Sequence, residues 1–136
     1  LFDVIPVSTY AEGNFCILGD AAHASTPHLG AGASFAIEDV HLLSGLLGPE
    51  LIKSESDIKR AFWVYDKIRR PRCQELIKRS RKQGLLLDLQ GQGGEEVTED
   101  DLRTNVGFNQ KWVWDADLAG MLEEARVLFN TYKESE

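Results

Sequence analysis

Along the chain, apolar residues gather into short runs and helical stripes, and glycine or proline separates most of them. Residues 2–7 are β-branched but interrupted by Pro6, which fits a strand end or a loop. Asn14-Phe15-Cys16-Ile17-Leu18 is apolar on both faces and ends at Gly19-Asp20, the pattern of a buried parallel strand. A loop of small residues follows over 21–32, holding Pro27, Gly30 and Gly32. Residues 33–47 carry apolar side chains around most of a helix, until Gly48-Pro49 stops it. A helix so apolar expects cover from a larger body than these residues supply.

The second half is helical in pattern. A long helix is predicted over 57–86, capped by Ser54 or Ser56, with its stripe at Ile58, Ala61, Phe62, Tyr65, Ile68, Leu76 and Ile77. Pro71 lies inside that stripe and predicts a kink or break. Gln90-Gly91-Gln92-Gly93-Gly94 reads as a flexible loop, and Thr98-Glu99-Asp100-Asp101 as the cap of a short helix. Trp112-Val113-Trp114-Asp115 precedes a last helix over 116–132, striped at Leu118, Met121, Leu122, Ala125, Leu128 and Phe129. No internal repeat is visible.

Composition narrows the class. With 136 residues, 43% hydrophobic and 27% charged, the chain suits one modest ordered core and not a disordered segment. No run approaches the ~18 apolar residues of a membrane span. Cys16 and Cys73 lack paired spacing and nearby ligand-type residues, so both are expected as free thiols, in a cytoplasmic setting. The chain opens on Leu1 with no signal-like stretch, which leads to the expectation that it is a piece of a longer protein. Charge is segregated. Residues 1–50 hold six acids and no Lys or Arg, residues 51–82 eleven bases and four acids, and residues 83–136 twelve acids and four bases. A basic block between acidic ones suits internal pairing better than nucleic-acid binding, which needs a whole basic face.

The chemistry concentrates between Gly19 and Asp39. An acid, Asp20, follows a predicted parallel strand, where open α/β sheets bind ligands and where a carboxylate suits a ribose or ribitol hydroxyl. Small residues beside it let backbone approach a planar cofactor. The glycines then lead into a helix whose unpaired N–H groups carry about half a positive charge, suited to an anion forming nearby. This describes a cofactor edge without saying which cofactor.

Gly19-Asp20-Ala21-Ala22-His23, then Pro27, then Gly30-Ala31-Gly32, then Glu38 and Asp39, resembles the second FAD-binding motif of the class A flavoprotein monooxygenases. Thr9-Tyr10, Thr26-Pro27-His28, Tyr65-Asp66 with Arg69-Arg70-Pro71-Arg72, and Trp112-x-Trp114-x-x-Asp117 look most like the fungal salicylate hydroxylase-like members. The resemblance covers nearly the whole chain. It implies an α/β fragment, mostly helical: the last parallel strand and helix of a Rossmann-type FAD domain, then a C-terminal helical region. Residues 1–12 would close a substrate-binding sheet domain or connector, 13–49 the FAD domain, and 50–136 would form the helical region.

It also implies roles. Asp20, with Gly19, would bind the flavin ribitol. Pro27 would lie against the isoalloxazine where oxygen is activated, as the catalytic wall. Gly30, Ala31, Gly32, Ala33 and Ser34 would present backbone to the pyrimidine edge. NAD(P)H would reduce FAD, and a flavin hydroperoxide formed with O₂ would hydroxylate a small aromatic, salicylate-like substrate. Ala33-Ser34-Phe35 departs from the family, where a third glycine and a smaller or amide residue are common. No metal, nucleic acid or membrane span is expected, and a homodimer is left open. A flavin-dependent epoxidase or other oxygenase, and a non-catalytic helical interaction module, stand as alternatives.

Each residue also has a plainer reading. Asp20 could cap a turn, and Pro27 could be an ordinary loop proline. His23 is expected to be structural, bonding local backbone, while His28, beside Pro27, could reach the substrate side and His41 packs or faces solvent. Glu38 and Asp39 read as structural acids holding helix and loop. Arg69, Arg70, Arg72, Arg79 and Arg81 are expected to pair with acids of the flanking segments, with a cofactor phosphate or an acidic partner as alternatives. Trp112 and Trp114 read as core or interface anchors of the last helix, with an aromatic stacking site as the alternative.

Overall fold

The computed structural model describes residues 3–91 and 94–132, so Phe2 and, in the glycine loop, Gln92 and Gly93 lie outside the described residues. Its only sheet among these residues is a hairpin: β1 (Ala11–Glu12) pairs antiparallel with β2 (Phe15–Cys16), Ala11 opposite Cys16 and Glu12 opposite Phe15. Gly13 takes φ 57 at the first position of the two-residue turn, the conformation a tight hairpin asks of glycine. The run Asn14-Phe15-Cys16-Ile17-Leu18 is therefore not a buried parallel strand here. Phe15 is 82% exposed, and Ile17 and Leu18 remain well exposed. Its strand partner among the described residues is the segment just before it, and a parallel partner would need a crossover from a distant strand.

The body is helical. α1 (Asp20–His23) is a single turn, and Pro27–Leu29 forms a 3-10 turn, so residues 21–32 are more ordered than the predicted loop. α2 (Gly32–Leu46) and α3 (Glu55–Leu87) match the expected helices closely, and Ser54 is the residue at the N-cap of α3. The Asp57 carboxylate closes that end by accepting from the Ser54 amide at 2.9 Å and the Lys53 amide at 3.0 Å. Pro71 does not break α3, which runs on for its full 33 residues. The proline and Lys67, whose carbonyl it leaves without an N–H partner, both sit on the exposed face, where water can take that carbonyl.

α4 (Glu99–Trp114) is longer than the short helix expected and absorbs Trp112 and Trp114 into its own last turn. Its capping box is built from Thr98 and Asp101, each accepting from the other's amide. α5 (Leu118–Thr131) starts at Asp117, whose carboxylate accepts from the Gly120 amide at 2.8 Å. The core forms where α2, α3 and α5 meet: Phe35, Leu42 and Leu46 join Ala61, Val64 and Tyr65, with Ala125 and Phe129 from α5. One flank of α2 stays uncovered, with Ile37 69% and Val40 55% exposed, in line with the excess apolarity of its sequence. Trp114 is 74% exposed and outside the core, whereas Trp112 packs on Phe35. Both cysteines are free thiols, and no described helix is long and apolar enough to cross a membrane.

Candidate functional site

The site begins at a forced glycine. Gly19 has φ 57 and ψ −144, a conformation that a side chain would strain, and its N–H donates to Asp39 Oδ2 at 2.9 Å. That bond fixes where the next residue emerges. Asp20 opens α1 with an exposed side chain, and its carboxylate makes no hydrogen bond or ion pair among the described residues. Pro27 is exposed at the first position of the 3-10 turn. Gly30 ends that turn at φ 60 with its N–H donating to the Pro27 carbonyl, and it faces open space, as does Gly32. Ala31 is buried and seats the start of α2, while Ala33 and Ser34 are exposed.

The N-terminus of α2 has no side-chain cap. The first helical bond is made by the Phe35 amide to the Ala31 carbonyl, which leaves the amides of Gly32, Ala33 and Ser34 without an acceptor among the described residues. Ser34 Oγ turns back to the Ala31 carbonyl at 2.8 Å and so leaves those amides open. An accessible carboxylate, an exposed proline and a positive helix end thus lie on consecutive turns. Together they can grip a hydroxyl, offer an apolar wall and stabilise an anion.

Behind this edge lies a buried ionic cluster. Arg69 is fully buried and donates from Nε to Asp39 Oδ1 at 2.7 Å, from Nη2 to the Phe35 carbonyl at 3.1 Å, and from Nη1 to Glu38 Oε2. Arg72 adds a two-pronged contact to Glu38, at 2.9 Å on each oxygen. His23 is also fully buried and donates Nε2–H to Asp39 Oδ2 at 2.7 Å, since an ionised carboxylate can only accept. Burial pushes the Asp39 carboxyl up, but the hydrogen bonds from His23, the Gly19 amide and Arg69 outweigh it and hold the group below its ordinary value. The acids Glu38 and Asp39 do hold helix and loop as expected. His23 bonds a side chain of α2 and not local backbone.

The basic block behaves largely as charge pairing. Arg69 and Arg72 meet the acids of α2, Arg81 meets Asp3 at 2.6 Å, and Arg70 and Arg79 pair with Asp66 and Glu75 one turn back on α3. Charge order alone did not reveal that Arg69 is buried. Its mark in the sequence is position: Arg69 lies four residues after Tyr65 and seven before Leu76, on the apolar stripe itself. His23, Asp39 and Cys73 bring ligand-type atoms within 4.8 Å of one another. Burial pushes the Cys73 thiol up to about 12, and Arg69 already balances Asp39, so the cluster reads as a hydrogen-bonded core.

The low-lying Asp39 carboxyl makes stability pH-dependent. Its contribution is whole above the unfolded carboxyl value of ~3.9 and is lost as pH falls through the lower folded value. Acid should therefore lower the unfolding midpoint of the wild type more steeply than that of Asp39→Asn as pH falls from ~3.9 to the lower folded value. Parallel acid slopes in the two proteins would contradict the assignment.

Residues 5–80, more than half of the chain, match the family described as FAD binding domain. An FAD-dependent monooxygenase of Stachybotrys chartarum is 37% identical over 133 residues, covering 96% of this chain and 27% of its own length. A salicylate hydroxylase of Pseudomonas putida is 33% identical over 130 residues, covering 93% of this chain and 29% of its own. A solved salicylate hydroxylase substrate complex superimposes with a TM-score of 0.75 at 34% identity, covering 96% of this chain and 30% of that one. The chain thus spans less than a third of the length of these relatives. The family match spans more than half of the chain, and the chain belongs to the FAD binding domain family.

Proposed function

We propose that this chain forms one edge of the flavin site of an FAD-dependent monooxygenase that hydroxylates a small aromatic, salicylate-like substrate. The observation that carries the reading is the open end of α2: three first-turn amides without acceptors, reached by glycine backbone and preceded by an unpaired, accessible Asp20. These residues fit the group. When bound, FAD would supply the redox and oxygen-transfer chemistry, with NAD(P)H as reductant and O₂ giving one atom to the ring and one to water.

The chain's own residues do the rest. Asp20 accepts a hydrogen bond from a ribitol hydroxyl and sets the cofactor's position along the edge. The amides of Gly32, Ala33 and Ser34, at a positive helix end, favour negative charge on the pyrimidine edge of the ring. Pro27 supplies an apolar wall with no N–H of its own, excluding water from the face it covers. In this reading α2 is the last helix of a Rossmann-type domain, and the exposure of Ile37 and Val40 supports it. The likeness to salicylate hydroxylases supports the substrate class.

The chain by itself lacks a G-x-G-x-x-G phosphate loop. Residues 1–136 alone are accordingly expected to show no FAD-dependent oxidation of NADPH, followed by loss of nicotinamide absorbance. Turnover by the isolated chain would contradict this division of labour. For the activity itself, the full-length flavoprotein should convert salicylate to catechol with consumption of NAD(P)H and O₂. A flavin-loaded protein that instead epoxidises an alkene and leaves salicylate untouched would overturn the substrate assignment.

A further inference from the structure

The turn that carries the exposed Pro27 is anchored to α3 as well as by its own Gly30–Pro27 bond. The residue before it, Thr26, is buried and locked to α3: Thr26 Oγ1 donates to Ser80 Oγ at 3.0 Å, and Ser80 Oγ donates to the Thr26 carbonyl. The residue after it, His28, lays its ring over Gly84, one turn further along the same helix. A Cβ added at Gly84 would stand 2.5 Å from His28 Cε1 and 2.6 Å from Nδ1, far inside contact distance. His28 Nδ1 is buried with no hydrogen-bond partner, so shape seats the ring at that atom, not polar bonding. Ser80 and Gly84 are four residues apart and share one face of α3. Leu29, buried behind them, closes the turn.

We propose that Ser80 and Gly84 are positioning residues for Pro27. The last turns of α3 clamp the Thr26-Pro27-His28 turn on both sides of the proline and so fix where the apolar wall stands. The same helix, three turns earlier, holds the start of the site through Arg69 and Asp39. A single rigid element therefore sets the spacing between the Asp20 corner and the Pro27 wall. The importance of this spacing for the reaction rests on the flavin-edge reading above, while the clamp itself rests on contacts within this chain. A side chain at Gly84 would displace the His28 ring, which occupies that space. Ser80 must carry a hydroxyl because two polar atoms of buried Thr26 depend on it.

Ser80→Ala and Gly84→Ala test this in the full-length flavoprotein, with Gly107→Ala as control, since an added Cβ there meets nothing. Two readouts are needed: hydrogen exchange at the Gly30 amide, which bonds the Pro27 carbonyl, and catechol formed from salicylate per NAD(P)H oxidised. Both site variants should speed that exchange and lower the product yield about tenfold, as expected for displacement of a reacting wall by a fraction of an ångström, with FAD affinity and nicotinamide KM unchanged. The control should move neither. If neither Ser80→Ala nor Gly84→Ala alters exchange at Gly30, the clamp is refuted, whether or not flavin binds. Faster exchange with unchanged product yield in a flavin-loaded protein refutes the positioning role. A wild-type protein that binds no FAD refutes the flavin-edge reading and leaves the exchange result to judge the clamp. Ser80→Ala adds no atoms, so it keeps the test open if Gly84→Ala fails to fold.

Discussion

Replacing Arg69 with alanine is expected to cost about 3–5 kcal/mol of stability. The size follows from what stays behind. Asp39 is fully buried and Glu38 nearly so, and Arg69 is the group that touches both. Without it, Glu38 keeps Arg72, but Asp39 is left with a histidine and one backbone amide. The Phe35 carbonyl also loses its side-chain donor. Arg69→Lys should recover little, because one ammonium cannot reproduce three directed donors spread over two nitrogens and Nε. Denaturant unfolding of the full-length protein measures the difference, and a loss below about 1 kcal/mol would show that the cluster is not a keystone of the fold.

Asp20→Ala should weaken FAD binding by about 10- to 100-fold, the worth of one charge-assisted hydrogen bond, while leaving stability nearly unchanged. The two halves of this expectation come from the same fact. The Asp20 carboxylate makes no internal bond and is exposed, so its removal costs the fold little and the cofactor much. Asp20→Asn should fall between, since an amide oxygen still accepts but without the charge. Flavin fluorescence titration reads the affinity, and unchanged affinity in Asp20→Ala would remove Asp20 from the site. The contrast with Arg69→Ala is that one variant should unfold easily, while the other should fold and hold FAD more weakly.

Much of the fold is legible in the sequence because helices announce themselves locally. α2 begins and ends close to where the glycines and Pro49 indicate, and α3 starts at its Ser54 cap. What sequence could not convey was contact over distance. The 14–18 run has the composition of a central strand, yet strand pairing depends on a partner, and here the nearest partner is the preceding segment of the hairpin. Pro71 looked disruptive because local rules do not say which side of the helix it faces; on the exposed side its missing N–H is tolerated. Trp112 and Trp114 are alike in type and near in sequence, but two positions apart on a helix they point to different sides. The basic block showed that charges would pair, not that Arg69 would be the one taken into the core. His28 over Gly84 and Ser80 under Thr26 left no trace in composition, since a hydroxyl or a missing side chain on a helix face is meaningful only against its neighbour.

The central claim is that Asp20, Pro27 and the open end of α2 form one edge of a flavin site. A crystal structure of the full-length protein with FAD bound tests it most directly. The account predicts a ribitol hydroxyl within hydrogen-bond reach of the Asp20 carboxylate, the pyrimidine edge facing the amides of Gly32, Ala33 and Ser34, and Pro27 against the ring. FAD seated away from α2, with Asp20 turned to solvent and those amides taken by other protein groups, would contradict it.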